Sequence, residues 1–153
     1  MNQEASESLP FLICFTGIAT LMALASYGSC HGMAQAVTAS TMYIQKKSIL
    51  TSALVSVIMI SIIFFLALVV SVIILTRLKE GYTLIQSFNH FVACLVLGGV
   101  GAACGKSMGS VSTSMFRILH KKSSFFLSFM LIFSTAELAV VFAFLIALTL
   151  IYR

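Results

Sequence analysis

Four long apolar stretches separated by short polar breaks organise this 153-residue chain. They fall roughly at 9–44, 48–76, 84–118 and 124–152. A helix needs about 20 apolar residues to cross the hydrocarbon core of a bilayer, and each stretch is longer than that. The runs do not alternate with period two, as the strands of a membrane barrel do. Backbone groups inside lipid must also bond within their own segment, which selects helices. The pattern therefore predicts an all-α membrane protein with four transmembrane helices.

The breaks are short. "YIQKKS" joins the first two spans, "ILHKKS" joins the last two, and "TRLKEGYT" joins the pairs. The expected layout is a short N-terminal tail at 1–8, a first helical hairpin at 9–76, a loop at 77–83 and a second hairpin at 84–153. The odd spans are rich in Gly, Ala and Ser, and the even spans in Val, Ile, Leu and Phe. That alternation suggests two copies of one hairpin. "SYGSCHG" is similar to "AACGKSMG", so that Gly28 and Gly32 answer Gly105 and Gly109. "KKS" recurs at Lys46–Ser48 and Lys121–Ser123, and "LALVVSVIIL" resembles "FAFLIALTLI". Extended backwards, the last match sets Ser61 opposite Glu137.

Small residues recur every fourth position in the odd spans: Gly28, Gly32, Ala36 and Ser40 in one, and Gly101, Gly105, Gly109 and Thr113 in the other. Such faces let helix backbones approach closely in lipid. They suit either a packed pair within one chain or an inner ring of helices repeated around an axis. The length of the stripes, about three turns each, favours the ring.

Composition sharpens the membrane assignment. Hydrophobic residues make up 60% of the chain, charged residues 8%, and the mean hydropathy is +1.11. The net charge of +5 comes from Lys and Arg near segment ends, with no basic stripe interleaved with aromatics, so nucleic acid is not an expected partner. Both KKS loops lie on one side, which the positive-inside rule puts in the cytoplasm, leaving both termini luminal or exterior. The polar, acidic start "MNQEASES" lacks the positive n-region of a signal peptide, so no cleavage is expected. Cys14, Cys30, Cys94 and Cys104 all fall in apolar segments without a CxxC pair and are read as small packing residues.

Of the four acidic residues, Glu4, Glu7 and Glu80 lie at the N-terminus or in a loop, whereas Glu137 sits inside the last span. At 1.5 Å per residue it is roughly 20 Å along its helix, near the middle of a bilayer. A bare charge there costs about 2.5–3.5 kcal/mol on insertion scales. Desolvation favours the neutral acid. A group that crosses lipid neutral and ionises where water or a cation meets it can carry a proton. The plainer reading is a structural acid bonded to Ser134 or Thr135. Lys106 lies at a similar depth; pairing with Glu137 would hold the acid ionised, so it is expected to point away. His90 and His120, near span ends, are expected to be solvated or interfacial. No pair of histidines has metal-ligand spacing, and without Asp no Ser/His/Asp arrangement is possible, so a hydrolase has no support.

These residues resemble a known family, the proteolipid subunit c of V-type ATPases. "LASYGSCHG" (Leu24–Gly32), "GAACGKSMG" (Gly101–Gly109) and "IFSTAELAVVFAFLIAL" stand where that family has a Gly-rich first span, GxxxG repeats in the third, and a glutamate followed by an apolar run in the fourth. The resemblance covers essentially the whole chain after the first eight residues. It implies a membrane rotor ring of proteolipid copies turning against a static subunit a with an essential arginine, coupled through central-stalk subunits to ATP hydrolysis elsewhere. In that frame Glu137 is the proton carrier, Ser61, Ser134, Thr135 and Phe142 are its neighbours, and Gly28, Gly32, Gly101, Gly105 and Gly109 pack helices. No cofactor is implied, and lipid surrounds the ring in a vacuolar or other acidic endomembrane. "CGKS" lacks phosphate-loop spacing and lies within a span, so no nucleotide site is expected. A sodium site needs several oxygen ligands, and only Ser61, Ser134 and Thr135 are candidates, so protons are favoured. The chain departs from the family pattern at Phe142, where a Tyr is usual, and at Val140, where a Gly is usual, which marks a divergent member. Two other classes fit less well. A small antiporter for lipophilic cations wants aromatic faces around its acid, yet there is no Trp. A structural or minor ring isoform would leave Glu137 incidental.

Overall fold

The computed structural model describes the backbone of residues 2–43, 47–78 and 82–153, and the side chains of residues 8–43, 49–78, 82–122 and 124–153. The elements are α1 (Asn2–Thr41), α2 (Lys47–Arg77), α3 (Leu84–Lys121), a 3-10 turn (Ser123–Phe125) and α4 (Phe126–Tyr152). All four helices are long and apolar enough to span a membrane, and no strand occurs among the described residues. This is an all-α, four-helix membrane protein.

The spans lie close to the expected ones, except at the start. α1 begins at Asn2, so residues 2–8, expected as a tail, continue the first helix. The physical reason is local. No glycine or proline interrupts the chain before Pro10, and carboxylates near a helix N-terminus are favoured by its dipole. The Lys46–Ser48 loop and residues 79–81, including Glu80, lie outside the residues whose side chains are described.

α3 starts on a capping box. The Thr83 hydroxyl accepts from the Gln86 amide at 3.4 Å, and the Gln86 side-chain oxygen accepts from the Thr83 amide at 3.2 Å. Its far end closes with the Lys122 amide donating to the Ile118 carbonyl at 2.9 Å, and Lys122 turns extended, which frees the chain to reverse into α4.

α1 and α3 form the closest pair, and α2 and α4 flank them, α2 mainly against α1 and α4 mainly against α3. The glycines explain the closeness. A Cβ on Gly28 would stand 2.5 Å from the Ala102 Cα, one on Gly105 would stand 2.5 Å from the Gly28 carbonyl, and one on Gly109 would stand 2.7 Å from the Gly32 Cα. Gly32 faces the Gly105 carbonyl in the same way, while Gly101 makes room for Ile63 of α2. The small-residue stripes therefore face each other within one chain. Thr113, the last member of the second stripe, falls off the seam and is exposed.

Above and beside the seam the core is aliphatic and aromatic. Ile60, Ala67, Val70 and Ile74 of α2 are fully buried, as are Phe116 of α3 and Phe129 of α4. Phe116, Phe129 and Phe133 form a tilted ring column with centroid separations of 5.9 and 4.7 Å. The outer faces of α2 and α4 expose large apolar side chains, Phe65 and Leu138 among them, as a lipid-facing surface does.

Buried hydroxyls are satisfied locally. Ser29, Ser56, Ser71 and Ser112 each donate to the carbonyl four residues back, at 2.8–2.9 Å. This back-bonding is the ordinary way a serine is accommodated inside a helix.

Candidate functional site

The buried stripe of α4 runs through Phe129, Phe133, Val140, Ala143, Ala147 and Ile151. Glu137 is four residues after Phe133 and three before Val140, so it stands at the edge of this stripe, since i, i+3 and i+4 share a helix face. It is half-buried, on the same rim as Met130 and Phe144, seven residues to either side. One carboxyl oxygen, Oε1, is buried without a hydrogen-bond partner. Only one other described side-chain atom shares that condition, Oε1 of Gln35 on α1. The contrast with the back-bonded serines is chemical. A hydroxyl can donate to its own helix, whereas an ionised carboxylate has only acceptors to offer.

None of the residues expected around Glu137 is hydrogen-bonded to its buried Oε1. Ser61, Ser134, Thr135 and Phe142 are all exposed. The Ser61 hydroxyl donates to the Ile58 carbonyl at 2.7 Å, and the Thr135 hydroxyl to the Ile132 carbonyl at 2.8 Å. Thr135 is two residues from Glu137 and so projects from a different side of α4. Lys106 is exposed on α3, and the described residues contain no ion pair between it and Glu137.

The histidines differ from their sequence reading in one case. His90 is not solvated: it is 4% exposed, and its Nδ1 lies 2.6 Å from the Tyr82 hydroxyl. Burial raises the Tyr82 phenol well above its ordinary pKa, with the neighbouring Cys14 adding to the effect, so the hydroxyl keeps its proton. The loop brings Tyr82 over the first turns of α3 because the capping box fixes where that helix begins. "YTLIQ" is the sequence signal for it, a T-x-x-Q box with an aromatic in front. His31 is half-buried, stacked on Tyr27 at 5.8 Å and bonded to Gln35 at 3.2 Å, and exposed His120 packs against Tyr43 at 5.0 Å. Cys14 and Cys94 are buried, Cys104 is half-buried and Cys30 exposed, all as free thiols. No group of three His, Cys, Asp or Glu among the described residues could hold a metal ion.

The site is thus a single half-buried carboxyl in the middle of an apolar helix, with one oxygen lacking any partner. No family model matches the chain. Curated proteins do. The V-type proton ATPase 16 kDa proteolipid subunit c of Nephrops norvegicus is 29% identical over 153 residues, covering 98% of this chain and 96% of that protein. The protein of the same name from Rattus norvegicus is 29% identical over 135 residues, covering 88% and 87%. The V-type proton ATPase subunit c' of Eremothecium gossypii is 29% identical over 153 residues, covering 98% and 93%. The likeness is low at each position yet runs the length of all four helices, and it is consistent with a divergent relative of the V-type ATPase proteolipid subunits c.

Proposed function

We propose that the protein is a rotor-ring subunit of a V-type ATPase membrane sector and that Glu137 carries protons by reversible protonation. The observation that carries this reading is the buried, partnerless Oε1 of the one carboxyl set deep in α4. In an apolar surrounding a carboxylate without a partner is costly, whereas the neutral acid is tolerated. The group is therefore poised to travel neutral against lipid and to ionise only where an external cation or water meets it. The curated relatives, which are themselves named as proton ATPase proteolipids, support the same assignment.

In this reading copies of the chain form a ring. Glu137 loses its proton opposite the essential arginine of a static subunit a, and central-stalk subunits couple the turning to ATP hydrolysis on other chains. The transported ion is the proton. Sodium is disfavoured because Ser61 and Thr135, two of the candidate oxygen ligands, direct their hydroxyls at their own helices. The KKS loops face the cytoplasm and both chain ends face the lumen of a vacuole or other acidic compartment.

The test is ATP-driven acidification of vesicles whose complex contains Glu137→Gln, with assembly of the complex measured in parallel. An assembled complex that no longer acidifies supports the carrier role. Persistent acidification by an assembled complex sinks it and leaves the chain a structural member of the ring.

A further inference from the structure

At the end of the bundle opposite the KKS loops lies a cleft of about 350 Å³, within the roughly 300–1,000 Å³ range of small-molecule sites. Three helices converge on it: the last turn of α2, the first turns of α3 and the last turn of α4. The cleft plays no part in the Glu137 chemistry, and its shape depends on the fold alone.

The chemistry of its wall is cationic and rich in donors. Arg77 and Arg153 both line it, and no acidic side chain is among its lining residues. Lys79 and Glu80 of the nearby loop lie outside the described residues. The Arg77 guanidinium lies over the Tyr152 ring, 4.2 Å from its centroid, a cation–π contact that holds it beside the cleft. Gln86 has committed its oxygen to the Thr83 amide, so its NH₂ group remains to donate. Asn89 adds a second amide. Half-buried Tyr82 and buried His90, hydrogen-bonded to each other, also line the cleft. The N-terminus of α3 contributes partial positive charge, while the C-termini of α2 and α4 contribute partial negative charge.

The simpler account of each arginine is that it offsets the dipole of its own helix. That account needs neither the cleft nor the amide donors brought from α3. Arg77 is the one of the two that is seated on an aromatic ring, so the weight falls on it. A planar fork beside neutral amides at the end of membrane-crossing helices suits the oxygens of a phosphate, which guanidinium binds bidentately. We propose that this cleft binds a phosphate-bearing anion, the phosphodiester of an anionic lipid headgroup or free phosphate, with Arg77 as its principal ligand.

The experiment uses the full chain in phosphatidylcholine nanodiscs carrying a minor fraction of spin-labelled phosphatidylglycerol, with spin-labelled phosphatidylcholine as reference. The immobilised fraction is read by electron paramagnetic resonance. The wild type should prefer phosphatidylglycerol. Arg77→Gln should lower that preference by roughly fivefold, the effect of one basic residue at an anionic surface. Arg77→Lys should keep most of it, and Arg117→Gln, at the other end of the bundle, should change nothing. In a second arm, inorganic phosphate is titrated into nanodiscs free of phosphatidylglycerol. Phosphate binding that depends on Arg77, without a lipid preference, supports the site and names the free ion as its source. The proposal is overturned if neither probe binds, if Arg77→Gln leaves both unchanged, or if it alters only association between chains. Circular dichroism checks folding, and Arg153→Gln, expected to act more weakly, serves as the second variant if Arg77→Gln does not fold.

Discussion

Gly105→Ala tests whether backbone contact in the α1–α3 seam holds the fold. The new methyl carbon would lie 2.5 Å from the carbonyl carbon and oxygen of Gly28 and 3.1 Å from its Cα. Carbon atoms in contact sit at about 3.5–4.0 Å, so the helices must part by about 1 Å. No side chain can swing aside, because the obstacle is backbone. Overpacking of this kind costs about 1–3 kcal/mol, and here the upper end applies. Against that, alanine is about 1 kcal/mol better than glycine inside a helix. The net expectation is a loss of about 1–2 kcal/mol. Gly99→Ala is the matched control. Nothing lies within 4 Å of its Cβ position, so it should gain about 0.5–1 kcal/mol. The two variants should differ by about 2–3 kcal/mol. Cys14 and Cys94, each 1% exposed, report on opening of the bundle in a background with Cys30 and Cys104 replaced by serine. The rate of thiol labelling in increasing denaturant, compared across the two variants, reads the difference. Equal labelling of Gly105→Ala and Gly99→Ala would refute the seam as a stabilising contact.

Four further outcomes are expected. Tyr82→Phe removes the partner of His90 Nδ1, a buried group 2.6 Å away, and should destabilise by about 1–3 kcal/mol, read by the same thiol labelling. Phe133→Ala, at a position 1% exposed, should cost about 3 kcal/mol, whereas Leu127→Ala, 71% exposed, should cost almost nothing in the same assay. Thr83→Ala breaks the capping box and should weaken the start of α3 by about 1 kcal/mol, seen as faster hydrogen exchange at the Gln86 amide. Lys106→Gln should leave acidification within about twofold of wild type, because this exposed lysine makes no ion pair with Glu137; a loss as deep as that of Glu137→Gln would contradict this.

Four helices and their order were legible in the sequence because length and apolarity alone decide whether a segment can cross a bilayer. The start of α1 was not. Hydropathy marks where lipid ends, whereas a helix continues until its backbone is interrupted, and residues 2–8 contain nothing that interrupts it. The glycine stripes were visible, but their partner was not. A small-xxx-small face specifies a close approach without saying which helix approaches, and Gly28, Gly32, Gly105 and Gly109 meet within one chain. Glu137 stood out as a lone acid in an apolar run. Ser134 and Thr135 are expected beside it from their nearness in sequence and Ser61 from the hairpin repeat, but helical geometry argues against Thr135, which is two residues away. A place near a span end suggests a solvated or interfacial His90, but the capping box at Thr83–Gln86 fixes the start of α3, and the Tyr82 hydroxyl meets the imidazole there.

Side chains give a joint its play, because they can change rotamer under load while the backbones stay apart. The α1–α3 seam has almost none to change where Gly28, Gly32, Gly105 and Gly109 meet. A sideways push on α4 passes through its contact with α3 and then across a junction of main chain on main chain. In the ring proposed above, such a junction would leave little play between α4 and α1. The same seam that lets two helices lie close would therefore also stiffen the protomer, and each methyl group added there would loosen that stiffness before it broke the fold.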